Sequence, residues 1–494
     1  MGIVRRQSIK KTIVSFIGVL VGTVSVLKIY PLEFEIYGRA QFIIATAGLI
    51  IPFATLGISR LTVRYFPDFE DDNSSHHGFL GFLLLFTTSS FLVFVLFLSI
   101  FESSFLAALE HLGIKSDNFL ENRNVILIIS LVLVFNSILA MHASNFKRVV
   151  VPEIFNNLFV KLGLPVLVLL YYLRYIGVLE FNYLYALVYI LAMFGLIGYL
   201  MYLKQFSLMV DLKYIRGTMF RDMIEYGLFN TLSSIGYLLS FRIDSVMIGS
   251  MLDLVSVGHY NFYSYIVNTV AVPFLALTSI AGPLIAQNFK KNDLDNAAKI
   301  YRQSSETLFI VGLGILGVVL ISLESLLSIT GKLDILWPFR YCFIFLGLGQ
   351  LINVTTGVNE PIISYSKYYK FNLYAMAFLS VMNLILNYFL IPRLGILGAA
   401  IATATSLAAY NILKSVFIYQ KFKILPLTKV HFKVLLISIG SFCIAALIPS
   451  IENRYLDIFV HSGVYALVFS LSMISFKISE DITELWLSIR KIFF

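Results

Sequence analysis

The feature that most constrains this chain is a succession of long apolar runs. Fourteen stretches qualify, at 12–30, 40–58, 79–101, 125–141, 154–173, 181–203, 226–250, 257–286, 305–329, 338–359, 371–391, 396–419, 432–449 and 459–476. About twenty such residues are what a helix needs to cross a bilayer core. Hydrocarbon offers the backbone no hydrogen-bond partner, so only helices and closed barrels span it. Barrel strands alternate with period two over about ten residues, whereas these runs are longer and apolar on every side. The expectation is an all-α, polytopic membrane protein of about 14 transmembrane helices. Charged residues make up only 13% of the 494, against about 25% in soluble domains. Short loops then use up the remaining length, which leaves no room for a separate soluble catalytic domain.

Basic residues give the orientation. Arg5, Arg6, Lys10 and Lys11 precede the first run, and Leu27-Lys28-Ile29-Tyr30-Pro31 follows it without a small-x-small cleavage site, so it reads as an uncleaved helix. With the N-terminus inside, 26 of the 37 Lys and Arg fall on that face, counting Lys414 with the loop 414–433, and nine on the other. The bias predicts an even helix count and two cytoplasmic termini. It also explains the net charge of +9 as a topology signal, so no nucleic-acid partner is expected. The acidic inside segment 68–78 holds His76 and His77; with no further ligand at suitable spacing it reads as a solvated loop. Cys342 and Cys443 lie in apolar runs and read as inert thiols. Ile482, Leu485, Trp486, Ile489, Ile492 and Phe493 recur at helical spacing and predict an amphipathic tail over 480–494 lying on the inner leaflet.

The chain also repeats. Pro52-Phe53-Ala54-Thr55-Leu56 returns as Pro273-Phe274-Leu275-Ala276-Leu277, and Lys204-Gln205-Phe206 returns by type as Gln420-Lys421-Phe422, at offsets of 221 and 216. Six spans separate the copies, so both have the same orientation. This predicts a six-helix lobe over 1–203, a cytoplasmic linker over 204–225, a second six-helix lobe over 226–423 and two additional helices over 424–479, with the lobes around a cleft.

Ionisable groups inside spans cost roughly 2.5–3.5 kcal/mol on insertion scales and need a reason to stay. Lys161 sits in the middle of the fifth run, four residues before Pro165, and either lines the cleft or pairs with a neighbouring helix. Arg242 and Asp244, at i and i+2 in the seventh run, project to opposite sides of a helix. Gln350, Asn353, Gly357 and Glu360 form one face of the tenth run, Asn261, Tyr265 and Asn268 another in the eighth, and Asn383 and Asn387 are one turn apart in the eleventh. Amides of this kind either bond between helices or line a hydrated path. Lys161, Arg242, Asp244, Asn261, Asn268, Gln350, Asn353 and Glu360 are the candidate substrate-binding residues. No Walker loop, HExxH cluster or catalytic constellation in an outer loop is present, so neither an enzyme nor a cofactor is expected.

Several motifs resemble one family. Asp244-Ser245-Val246-Met247-Ile248-Gly249, Val257-Gly258-His259-Tyr260, Pro273 and Pro283 are similar to the second-half signature of polysaccharide flippases. The stretch from Ile391-Pro392 through Gly395-Ile396-Leu397-Gly398-Ala399-Ala400-Ile401-Ala402-Thr403 is the most specific part. Tyr37-Gly38, Leu56-Gly57-Ile58 and Arg64-Tyr65 look like the matching first-half motif. The resemblance implies an O-antigen or capsule exporter of the multidrug/oligosaccharidyl-lipid/polysaccharide transporter superfamily. Such a protein moves undecaprenyl-pyrophosphate-linked sugars across the bacterial inner membrane by alternating access, beside a polysaccharide polymerase and chain-length machinery. Lys161 would then suit the pyrophosphate, and the amide stripes the sugar hydroxyls.

Two departures from relatives bear on the substrate. Peptidoglycan-precursor flippases resemble this chain but carry arginines in the first helix, whereas Thr12 to Leu27 is uncharged. Multidrug relatives couple cations through membrane carboxylates, whereas the first six runs as drawn contain no Asp or Glu. Both favour the saccharide branch. The alternatives are a cation-coupled multidrug exporter and a polytopic enzyme of polysaccharide assembly.

Overall fold

The computed structural model describes residues 3–478 apart from 56, 72, 74, 112, 212, 213 and 215–217. The amphipathic tail expected over 480–494 lies outside the described residues. Every regular element among them is helical.

Among the described residues, thirteen helices are long and apolar enough to cross a membrane. With one further long helix they give fourteen: α1 (Ile9–Leu32), α2 (Phe34–Thr55), α3 (His76–His111), α4 (Asp117–Asn145), α5 (Val150–Tyr172), α6 (Val178–Tyr202), α7 (Thr218–Met251), α8 (Leu254–Lys290), α9 (Leu294–Ile321), α10 (Leu333–Thr355), α11 (Phe371–Leu394), α12 (Ile396–Phe422), α13 (Lys429–Ala446) and α14 (Arg454–Ser475). The exception is α7, which carries Arg221, Asp222, Glu225, Arg242 and Asp244 and is correspondingly less apolar. At 34 residues it is about 51 Å long, well beyond the roughly 30 Å hydrocarbon core. Its first charged turns therefore fall outside the span read at 226–250.

The chain divides into two compact units, Met1–Gly258 and His259–Phe494. In the first, α2 packs along α7 and α4, and α4 packs along α6. In the second, α12 packs along α10 and α11, while α9 meets α10, α13 and α14. The sequence division opens the second lobe with α7, but by its packing α7 belongs to the first unit.

Small residues set the tightest approaches, as expected where lipid gives helices no hydrophobic reason to associate. A Cβ on Gly38 would lie 1.7 Å from the Leu254 carbonyl oxygen, and one on Gly258 would lie 2.3 Å from that of Phe34. The two glycines thus pack α2 backbone to backbone against the first turns of α8. The motif after Ile391-Pro392 has a similar cause. Gly395 turns the chain at a φ of +60°, and a Cβ on Gly398 would meet the Leu390 oxygen at 2.2 Å. Ala399, Ala400 and Ala402 continue that small face fully buried.

The loop carrying His76 is folded inward rather than solvated. His76 is buried, its Nε2 2.7 Å from Gln205 Oε1 and its Nδ1 accepting from the Asp71 amide at 3.2 Å. The rings of Phe66 and Phe146 pack beside it, apolar cover that the polar local sequence does not announce. His77 stacks on Tyr214 with ring centroids 4.0 Å apart. Cys342 is buried in α10 and Cys443 exposed on α13, both as free thiols.

Candidate functional site

A polar ladder in the first unit joins α1 to α5. Residues four apart on a helix share a face, so Glu153, Asn157 and Lys161 form one stripe on α5, and Lys11 and Ser15, with Gly18 beyond them, form another on α1. The stripes meet. Glu153 Oε1 accepts from Ser15 Oγ at 2.9 Å and from Asn157 Nδ2 at 2.6 Å, and its Oε2 lies 3.5 Å from Lys11 Nζ. Lys161 is half-buried two turns deeper than Glu153, within electrostatic reach of that carboxylate. It is about 16 Å along the helix from Val150, which places it well inside the span. Its side chain lies against Gly18 of α1, with Cδ and Nζ 3.6 Å from where a Cβ would stand, an ordinary van der Waals contact. Between these groups α5 widens into a π-helical stretch, Ile154–Phe159, a departure often found at functional sites.

The helix bounds overturn the reading that the first six spans lack carboxylates: α2 takes in Glu35, α3 Glu102 and Glu110, α4 Asp117 and Glu121, α5 Glu153 and α6 Glu180. The fifth helix begins at Val150 rather than 154 and so takes Glu153 into the spanning segment. Pro152 stands in its first turn, where proline is tolerated because the first amides of a helix have no intrahelical partner.

Arg242 and Asp244 lie on opposite sides of α7, as their spacing requires. Arg242 is exposed, within electrostatic reach of the buried Tyr185 and Tyr189 of α6. Asp244 is buried.

The second unit holds a different cluster. Gln350 is buried and Asn353 half-buried on α10, and Asn353 Oδ1 accepts from Asn411 Nδ2 of α12 at 3.2 Å. Asn411 Oδ1 in turn accepts from Thr356 Oγ1 at 2.7 Å. The expected stripe from Gln350 to Glu360 is broken, because α10 ends at Thr355 and Glu360 belongs to a separate short helix, Asn359–Ser364, where it is exposed. Asn261 is half-buried in α8, and Asn268 is exposed where its first helical stretch ends. Asn383 and Asn387 are fully buried and bond to each other, which accounts for them as packing groups.

Sequence reading missed the most deeply buried cation. Lys414, assigned to the loop 414–433, lies inside α12 with only 1% of its surface exposed. Its Nζ is 3.0 Å from Tyr410 Oη one turn back, and Glu360 is within electrostatic reach. The signal was available, since 414 falls within the apolar run 396–419, but counting it with the basic loop that follows concealed it.

Among the described residues no group of three His, Cys, Asp or Glu side chains is placed to hold a metal ion. The chemistry on offer is that of ammonium, amide and hydroxyl donors held inside apolar helices. Such donors bind anions and sugar hydroxyls.

Comparison with known proteins places the family and the fold. The family model described as polysaccharide biosynthesis protein matches residues 11–289, and the MatE model matches residues 231–389. No curated protein matches the sequence. Among solved structures, the lipid II flippase MurJ in an inward closed conformation superposes with a TM-score of 0.68 at 14% identity, covering 95% of this chain and 99% of that one. An inward-facing multidrug resistance MATE family transporter of the MOP superfamily gives 0.59 at 16% identity, covering 82% and 98%. These likenesses show a shared fold.

Proposed function

Because this multi-pass membrane chain belongs to the polysaccharide biosynthesis protein family, we propose that it is a flippase for undecaprenyl-pyrophosphate-linked oligosaccharide repeat units. It moves them across the bacterial inner membrane by alternating access, for O-antigen, lipopolysaccharide or capsule assembly. Both termini lie in the cytoplasm, and a polysaccharide polymerase with its chain-length machinery takes the product. The protein transports and does not itself make or break bonds.

The observation that carries this reading is Lys161 well inside a membrane-spanning helix, above a ladder of amide and hydroxyl donors. A cation at that depth is costly unless a ligand uses it. A pyrophosphate drawn to it leaves its prenyl chain in lipid; the remaining candidates for sugar contacts are Arg242 and Asp244 in the first unit and Asn261, Asn268, Gln350, Asn353 and Glu360 in the second. In a strain lacking the gene, surface polysaccharide should be absent and lipid-linked units should accumulate. Lys161→Ala is expected to restore less than about a tenth of wild-type polysaccharide at normal protein level, as loss of a charge-assisted contact of about 1.5–3 kcal/mol implies. Full restoration would remove Lys161 from the mechanism.

A second reading, a cation-coupled multidrug exporter, is favoured by the MatE match and by Glu153 inside a span. Purified protein in vesicles separates the two. A flippase changes the sidedness of lipid-linked saccharide, while an exporter moves drugs in an ion-dependent way and leaves the lipid where it was.

A further inference from the structure

Every polar atom that reaches Glu153 from the ladder is a donor. Its carboxylate takes a hydroxyl from α1, an amide from the next turn of α5 and an ammonium from α1, and its side chain is only 13% exposed. Ammonium, hydroxyl and amide groups converging on acceptor-only oxygens make the donor set of a phosphate site, here filled from within. The charges do not balance, because Lys11 and Lys161 bring two positive charges and Glu153 one negative. Among the described residues, Lys161 makes neither a hydrogen bond nor an ion pair, although it lies along the same face.

We propose that Glu153 is an internal stand-in for substrate phosphate, holding Lys11, Ser15 and Asn157 in place until a phosphate or pyrophosphate group displaces it and engages Lys161 as well. This rests on the flippase reading and adds a built-in competitor to it. A dianion answers two ammonium groups better than a carboxylate does. Without substrate, the carboxylate holds the half-exposed Lys11 and lies within electrostatic reach of Lys161, whose charge inside the span is otherwise costly. Affinity is reduced by whatever fraction of the protein has the carboxylate seated. A salt bridge that only held α1 to α5 would have no such consequence.

The test is titration of purified full-length protein in neutral detergent with farnesyl pyrophosphate and, separately, inorganic pyrophosphate. Glu153→Gln keeps an oxygen for Ser15 and Asn157 but removes the competing charge, so it should bind pyrophosphate about tenfold more tightly, within the usual range of coupling between sites. Lys11→Gln and Lys161→Gln should each bind it several-fold more weakly. Opposite signs on the two sides of one ion pair are the signature, because a purely structural bridge would make Glu153→Gln and Lys11→Gln behave alike. A gain for farnesyl pyrophosphate exceeding that for inorganic pyrophosphate supports the proposal with a lipid-borne phosphate as the ligand. An equal gain for both supports the stand-in role with the anion alone as the recognised group. Unchanged or weaker binding by Glu153→Gln overturns the proposal. If that variant does not fold, Lys11→Gln decides, since Lys11 is half-exposed and its loss leaves the helices intact; unaltered binding by it is equally fatal. Failure of the flippase reading shows elsewhere, as unchanged sidedness of lipid-linked saccharide in vesicles that hold the purified protein.

Discussion

Gly38→Ala is expected to remove nearly all folded protein from the membrane. The added methyl would lie 1.7 Å from the Leu254 carbonyl oxygen and 2.7 Å from the Gly258 amide nitrogen, both backbone atoms that no rotamer change moves aside. Relief requires α2 to part from the first turns of α8, and this also strips Gly258 from Phe34. Overpacking in a well-filled interior costs about 1–3 kcal/mol and occasionally more, and a backbone clash belongs at the upper end. Set against a total stability of about 5–15 kcal/mol, that is enough to send most chains to degradation. The measurement is the monodisperse fraction of tagged protein by size-exclusion chromatography, with Gly440→Ala as control because a Cβ there meets nothing within 4 Å. Equal yields from the two variants would contradict the close approach.

The second large effect is on transport. Lys414→Met should leave the protein as abundant as wild type and abolish most of its polysaccharide output, by tenfold or more. Methionine fills the space of the lysine stem, and because Glu360 is exposed no buried charge is left unpaired when the ammonium goes. A structural lysine would therefore be dispensable. If Lys414, buried to 99% beside Tyr410 and near Glu360, responds to substrate, losing the charge removes that response while the fold survives. Polysaccharide staining paired with immunoblotting reads both. Normal output from Lys414→Met would make the lysine a packing residue only.

How much of the site was legible differs from residue to residue. Lys161 stood out as an ammonium group near the middle of a long hydrophobic run, and the structure keeps it within the span. Arg242 and Asp244 separate as helical periodicity demands. Glu360 was misplaced because periodicity assumes an unbroken helix, and α10 stops at Thr355. Glu153 and Lys414 were missed for the same reason: each lies near a span boundary, where hydropathy changes gradually while the helix itself ends abruptly.

The sequence by itself determined that the chain is a series of membrane helices, and its glycine and alanine motifs marked the family. Both are local properties, because lipid forces each backbone segment to satisfy its own hydrogen bonds and backbones can approach closely only where side chains are small. Only the tertiary structure decided which polar groups meet. That Glu153 faces Lys11 and Ser15 across 138 residues of chain, or that Asn411 joins Asn353 and Thr356, depends on which helix lies beside which and how each is rotated. Within a span nearly every residue is apolar, so local pattern leaves that rotation undetermined, and the few polar contacts become visible only once the helices are packed.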